Sequence, residues 1–222
     1  MKLFSPQMLD FLTENVMRDD KEYFRAHKSE FEDLVMAPMR EFTGRLLPYI
    51  TSIDDTIDKV HISRIYRDAR FLHGRSYFRE NMWVSFGRAK DLYKSLPAFY
   101  FDISPAGAEY GCGYYVPPDG VMQTMRETIT AGDPGFIAAS DCLEGTHFEM
   151  YGDKYKRSKF PDRTEAEREW LDGKTIGIMR RRTDWENIFS EGFAEETGEE
   201  LTAVKPFYDF LLKTAYVGMK SQ

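Results

Sequence analysis

A chain of 222 residues with 42% hydrophobic and 30% charged residues has the composition of a water-soluble protein, and its length predicts a single domain over residues 1–222. The net charge of −7 disfavours nucleic acid as a partner of the whole surface, and neither a secretory signal nor an apolar run of membrane-spanning length is present. Cys112 and Cys142 form no metal or redox spacing, so we expect free thiols and a cytoplasmic location.

Apolar residues at helical spacing predict helices over most of the first 50 residues. Ser5 and Pro6 suit the first turn of one helix, because serine accepts an early backbone N–H and proline needs none. A second helix is predicted to begin with a capping box from Asp19 to Glu22. Pro38 is expected to end or kink that helix and to begin another.

After residue 57 the pattern changes from a helical to an alternating period, which is typical of strands. Four such segments follow in close succession and predict an antiparallel meander: KVHISRIYRD, NMWVSFGR, PAFYFDIS and EYGCGYYV. Helical patterns return after Pro117, and KTIGIMRRR is a candidate last strand. The predicted fold is α+β, with an antiparallel sheet of about four to six strands packed with helices from the N-terminal and C-terminal parts.

The segment Arg64–Glu80, RIYRDARFLHGRSYFRE, is the most basic part of the chain. Residues 59–90 carry eight basic and two acidic groups, net +6, in a protein of net charge −7. If the strand ends near Asp68, residues 70–79 fold back over its start and several guanidinium groups converge. Because guanidinium groups match carboxylate and phosphate geometry, we predict a site for a small anionic ligand. Its predicted residues are Arg64, Tyr66, Arg67, Asp68, Arg70, His73, Arg75, Tyr77 and Arg79.

Two alternatives to this pocket remain open. The basic loop would instead serve as an exposed surface for nucleic acid or a protein, with Tyr66, Phe71, Tyr77 and Trp83 as stacking surfaces. Alternatively, Asp68 and the acidic helices would neutralise every arginine internally. A pocket requires convergence in a concave site, a surface module requires arginines spread over an exposed face, and neutralisation requires a carboxylate for each arginine. Two further basic clusters, DKYKRSK and MRRR, are expected to be solvated surface.

Two glycines interrupt a predicted strand and are further candidate ligand contacts. Gly111 and Gly113 weaken a sheet unless a ligand or a packed helix approaches closely. Cys112 between them is expected to be a small buried thiol. No zinc, P-loop, Rossmann or nucleophile-elbow pattern is present, so we expect neither a metal nor a cofactor and assign no catalytic residue. His73, in the basic loop, is the histidine best placed for acid or base chemistry.

Four segments occur in an order that resembles a bacterial and fungal family, domain of unknown function 2461: FLTENVMRDDKEYFRAHKSEFEDLVMAPM, RIYRDARF, YGCGYYVPPDGVMQTMRETI and YKRSKFPD. The resemblance spans most of the chain and implies a single soluble domain, without implying an activity. After RDARF the family pattern runs aspartate, lysine, small residue, proline, tyrosine and lysine. Here both positive charges persist, as Arg75 and Arg79, whereas the aspartate is replaced by Gly74 and the tyrosine by Phe78. The resemblance therefore favours a role that needs only cations.

Overall fold

Helices from both ends of the chain pack on one face of a sheet. The computed structural model describes residues 2–68, 70, 72–89, 96–118 and 120–220. The N-terminal part forms α1 (Pro6–Arg18), α2 (Lys21–Ala26), α3 (Lys28–Phe31), a π-helical segment (Glu32–Met36) and α4 (Ala37–Ile53). Later helices are α5 (Val121–Thr130), α6 (Pro134–Asp141), α7 (Glu165–Leu171), α8 (Trp185–Ile188), α9 (Phe193–Ala203) and α10 (Lys205–Lys220). None of the helices in these ranges is both long and apolar enough to cross a membrane.

The described residues form one six-stranded antiparallel sheet with the strand order β1-β2-β3-β4-β6-β5. Its strands are β1 (Lys59–Ile62), β2 (Met82–Gly87), β3 (Ala98–Ser104), β4 (Gly107–Gly113), β5 (Glu149–Tyr151) and β6 (Gly177–Arg182). The first four strands are the predicted meander, and KTIGIMRRR supplies β6. The α+β prediction is therefore confirmed, including the helices from both ends of the chain.

Alternation along the strands gives the sheet two different faces. On β3, Phe99, Phe101 and Ile103 point toward the helices and are buried; we call this side the packed face. Tyr100 and Asp102 point to the opposite side and are half-buried; we call this side the open face. The side chains of successive residues in a strand point to opposite faces, which separates the two sets.

A cluster of phenylalanine rings fixes the helices on the packed face. The ring of Phe101 lies 5.7 Å from that of Phe4, which precedes α1, and 4.2 Å from that of Phe42 in α4. Phe193 of α9 lies 5.9 Å from Phe42. In the C-terminal helix, Tyr208 stacks on Phe99 at 4.5 Å. Since these rings come from both ends of the chain, the sheet core forms only when the two helical parts pack on it together.

The start of α2 differs from the predicted capping box. Asp20, not Asp19, is the N-cap, and its carboxylate accepts from the backbone N–H groups of Glu22 and Tyr23 at 2.7 and 3.2 Å. Asp19 has a left-handed backbone with φ of 49° and ends α1. Its carboxylate accepts from the Ser76 hydroxyl and the Tyr77 backbone N–H, both at 2.7 Å. Asp19 therefore attaches the basic loop to the helices.

A buried ion pair joins α4, the end of β2 and α10. The side chains of Arg88 and Asp54 are only 4% and 6% exposed, and the guanidinium donates to the Asp54 carboxylate. The guanidinium also donates to Tyr208 Oη at 2.7 Å and to Thr56 Oγ1 at 2.8 Å, while the Tyr208 hydroxyl donates to Asp54 at 2.6 Å. Burial alone would raise the pKa of Asp54, but hydrogen bonds from Thr56 and Tyr208 and the charge of Arg88 leave that pKa lowered.

We expect Asp54→Asn to lower the free energy of unfolding by about 3–5 kcal/mol, because it leaves the buried guanidinium of Arg88 without a counter-charge. Replacing both residues, as Asp54→Asn with Arg88→Met, should cost less than the sum of the two single substitutions. Urea unfolding of the four proteins in a double-mutant cycle measures this coupling. A loss below about 1 kcal/mol in Asp54→Asn would contradict a structural role for the pair.

Candidate functional site

The basic segment folds back on itself as an irregular ribbon that extends β1 and β2. Tyr66 and Phe78 form a β-bridge, the Arg67 N–H donates to the Tyr77 carbonyl at 2.8 Å, and the Arg79 N–H donates to the Ile65 carbonyl at 2.8 Å. The predicted returning loop is therefore confirmed. Phe71, one of the aromatic residues predicted to stack on nucleic-acid bases, lies outside the described residues.

Within this ribbon one arginine is neutralised internally. Arg70 donates from Nε to Asp68 Oδ1 at 3.0 Å, and its terminal nitrogen lies 2.6 Å from Asp68 Oδ2. Hydrogen bonds from Arg70 lower the pKa of Asp68 to about 2. The Arg70 side chain is 79% exposed, so the pair contributes little to stability. The alternative of internal neutralisation by Asp68 therefore holds for Arg70.

Three other arginines converge without such a partner. Among the described residues, no carboxylate oxygen lies within 4.0 Å of the guanidinium nitrogens of Arg64, Arg67 or Arg79. Arg67 donates from Nε to the Phe78 carbonyl at 3.1 Å. Burial lowers the pKa of Arg79, and the nearby charges of Arg67 and Arg64 lower it further against the opposing charges of Asp102 and Asp68. We call Arg64, Arg67 and Arg79 the arginine cluster.

Arg79 is the most constrained member of the arginine cluster. The side chain is half-buried, and its Nε atom is buried without a hydrogen-bond partner in the part of the chain that the structure describes. A buried donor without a partner costs free energy, and a charged donor costs more than a neutral one. The sequence pattern marked Arg79 as one cation among five, whereas the structure distinguishes it from the others.

The remaining predicted residues of the loop lie apart from the arginine cluster. Arg75 and His73 are exposed in a turn, where His73 has a φ of 39°, and neither side chain makes a polar contact with a described residue. Tyr66 packs its ring against helix α2, and Tyr77 is 42% exposed with the Lys21 ammonium 3.8 Å from its ring centre. The structure therefore brings together Arg64, Arg67 and Arg79 and leaves these four side chains outside.

Beside the arginine cluster, the open face is arranged in three rows that cross β2, β3, β4 and β6. The row nearest the cluster is Trp83, Asp102, Glu109 and Arg181; the next is Ser85, Tyr100, Gly111 and Met179; the last is Gly87, Ala98, Gly113 and Gly177. The last row contributes almost no side chains. A groove of about 460 Å³ opens there, within the range of small-molecule sites.

Gly111 and Gly113 belong to the floor of this groove and to its contact with β6. A Cβ at Gly111 would overlap the carbonyl oxygen of Ile178, and a Cβ at Gly113 would overlap Gly177 and approach the Tyr151 hydroxyl. The close approach predicted for these glycines is therefore made by the neighbouring strand and by Tyr151, not by a helix. Both glycines are buried, and the ring of Tyr151 occupies the space over the neighbouring Gly177, so Tyr151 forms part of the groove wall.

Two carboxylates face each other across β3 and β4 in the row nearest the arginine cluster. Glu109 accepts from the Tyr100 hydroxyl at 3.1 Å and from Arg181 at 3.0 Å. Asp102 lies directly opposite and accepts from the Asn81 side-chain amide. Burial and the charge of Glu109 raise the pKa of Asp102 to about 6, against the hydrogen bond from Asn81 and the charge of Arg79. Asp102 thus changes its protonation in the physiological range.

The last basic run, MRRR, is not solvated surface, and that expectation is wrong. Strand alternation places Arg180 and Arg182 on the packed side, where Arg180 Nε lies 3.0 Å from Glu200. Arg182 is 7% exposed and donates to both Asp184 and Glu196 at 2.8–2.9 Å. DKYKRSK does remain largely exposed, near β5 at the opposite edge of the sheet from the basic loop.

Cys112 lies on the packed face and is fully buried, as expected for a small structural thiol. Burial raises its pKa, which keeps the thiol protonated and unreactive. In the described ranges, no three His, Cys, Asp or Glu side chains are grouped to hold a metal ion.

The raised pKa of Asp102 gives a testable pH dependence. Its proton is held more tightly in the folded than in the unfolded chain, so its ionisation lowers the free energy of unfolding as pH rises from about 4 to about 6. Asp102→Asn removes this titration. We expect the variant to gain stability relative to the natural protein, by on the order of 1–3 kcal/mol between pH 4 and pH 7, in urea melts. A stability difference that stays constant across this pH range would contradict the assignment.

Comparison with known proteins gives a family and no curated relative. Residues 7–210 match the model of the family described as conserved hypothetical protein (DUF2461). No curated protein matches the chain. The matched range includes the arginine cluster and every strand of the sheet. The chain therefore belongs to the DUF2461 family.

Proposed function

We propose that this protein binds a small phosphate- or carboxylate-bearing ligand through Arg64, Arg67 and Arg79, at the end of the open face. The observation that carries the proposal is Arg79, a half-buried guanidinium whose buried Nε has no partner among the described residues. An anion placed between the three side chains would supply both the missing acceptor and the missing counter-charge. Catalytic residues and a reaction are not part of the proposal.

The chemistry of the arginine cluster suits an oxyanion better than a neutral ligand. The charges of Arg67 and Arg64 repel that of Arg79, and the burial of Arg79 weakens the screening of that repulsion by water. Guanidinium groups form paired N–H···O bonds with phosphate and carboxylate oxygens, so one such ligand can satisfy several of them.

The surface-module alternative has less support. Arg180 and Arg182 are paired with Glu200, Asp184 and Glu196, so MRRR adds no free positive charge to the basic loop. DKYKRSK lies at the other edge of the sheet. Arg67 and Arg79 are half-buried, whereas a surface module would need them spread over an exposed face. Free thiols at both cysteines suit the cytoplasmic location, which we retain as part of the proposal.

Sulfate is a suitable probe, because its charge does not change between pH 5 and pH 8. We expect it to bind saturably, with a dissociation constant of roughly 1 mM. A tenfold excess over that constant should raise the free energy of unfolding by about 1.4 kcal/mol. Thermal melts at constant ionic strength measure the shift. Arg79→Ala should abolish its saturable part, whereas Arg79→Lys should retain some, because lysine keeps the charge but loses the planar fork.

Arg75→Ala is the matched control, since it removes one positive charge from the same loop at an exposed side chain without a described polar contact. Its sulfate response should equal that of the natural protein. Equal responses in Arg79→Ala and Arg75→Ala, or no saturable shift up to tens of millimolar sulfate, would refute the arginine cluster as the site.

A further inference from the structure

We infer that the ligand is a nucleoside monophosphate, with its phosphate at the arginine cluster, its sugar hydroxyls at Asp102 and Glu109, and its base in the open-face groove. This inference rests on the proposed function and extends it from a simple anion to a ligand class. It depends on the order in which three kinds of chemistry follow one another from the arginine cluster along the open face.

The order begins with cations. Asn81, two residues after Arg79, donates to Asp102, and the charges of Arg79 and Asp102 are close enough for each to affect the pKa of the other. Asp102 and Glu109 lie next along the open face, opposite each other on β3 and β4. Their carboxylate oxygens can accept hydrogen bonds from neighbouring hydroxyl groups of a ligand. Arg181 forms an ion pair with Glu109. Asp102 and Glu109 together therefore do not present two unpaired negative charges to a nearby phosphate.

Aromatic and apolar walls follow. Tyr100 lies two residues along β3 from Asp102, about 7 Å away, and lines the groove together with Trp83, Tyr151 and Met179. The rings of Tyr100 and Tyr151 are 6.3 Å apart at 86°, so they form a corner in the wall of the groove. Aromatic side chains of this kind stack on nucleobases whatever the base.

The floor of the groove is also suited to a flat ring. Beyond Tyr100 the open face carries Ala98 on β3, flanked by Gly87 and Gly113 on the neighbouring strands. The Tyr151 ring lies over Gly177 and its hydroxyl approaches Gly113, so a planar base in the groove would contact Ala98, Tyr100 and Tyr151 and not bare backbone. A phosphate, a hydroxylated ring and a flat ring, in that order, describe a nucleoside monophosphate. A sugar phosphate alone would leave the aromatic walls without contact.

The test compares three probes by isothermal titration calorimetry: inorganic phosphate, ribose monophosphate and adenosine monophosphate. We expect adenosine monophosphate to bind about tenfold more tightly than ribose monophosphate, the gain that stacking of one base provides. Ala98→Leu fills the groove without removing a polar contact. It should lower the affinity for adenosine monophosphate about tenfold and leave the affinity for inorganic phosphate unchanged.

Two controls keep the result interpretable. Tyr115→Ala, at a groove residue that is 80% exposed, repeats the test if Ala98→Leu fails to fold. Trp185→Leu changes a tryptophan outside the groove and should leave all three affinities unchanged. Equal affinities for ribose and adenosine monophosphate, or an adenosine monophosphate affinity that the folded groove variant does not change, would overturn the inference while leaving the anion site intact. If Arg79→Ala leaves the affinities for all three probes unchanged, the proposed function is refuted.

Discussion

The one-sided packing of the sheet is the constraint on which the rest of this structure depends. Phe4, Phe42 and Phe193 come from distant parts of the chain and all converge on Phe101, so the helices cover the same face. The other face then carries the alternate residues of the central strands, and apart from Ala98 and Met179 those are polar, aromatic or glycine. An antiparallel sheet tolerates this arrangement, because one solvated face is compatible with its hydrogen bonding. The candidate site is therefore a consequence of where the helices pack.

Two arginines of the same basic region, Arg88 and Arg79, differ in how far their guanidinium groups are buried and hydrogen-bonded. Arg88 is almost fully buried, and its guanidinium is satisfied by Asp54, Tyr208, Thr56 and a backbone carbonyl. Arg79 is half-buried, and its Nε is left without a partner among the described residues. The first arrangement stabilises the junction of helices and sheet. The second lowers stability unless a ligand completes it, which is the pattern expected of a binding residue.

The sequence predicted the fold well, because hydrophobic periods report directly on helices and strands. The same alternation placed Tyr100 and Asp102 on one face of β3, but nothing local indicated that Glu109 would lie opposite Asp102, since register depends on the turn and on the partner strand. Charge counting located the basic loop yet did not separate Arg79 from Arg75, because burial and mutual repulsion arise only after folding. The capping residue of α2 was displaced by one position for a similarly local reason, the left-handed turn at Asp19.

The central claim is that an anion binds between the guanidinium groups of Arg64, Arg67 and Arg79. The most direct measurement is a nitrogen–proton NMR spectrum of the arginine Nε–H groups during a sulfate titration. The account predicts that the resonance of Arg79 shifts most and saturates, that those of Arg67 and Arg64 follow with the same dissociation constant, and that those of Arg75 and Arg88 stay in place. Largest shifts at Arg157 in DKYKRSK, or small unsaturated shifts at every arginine, would contradict it.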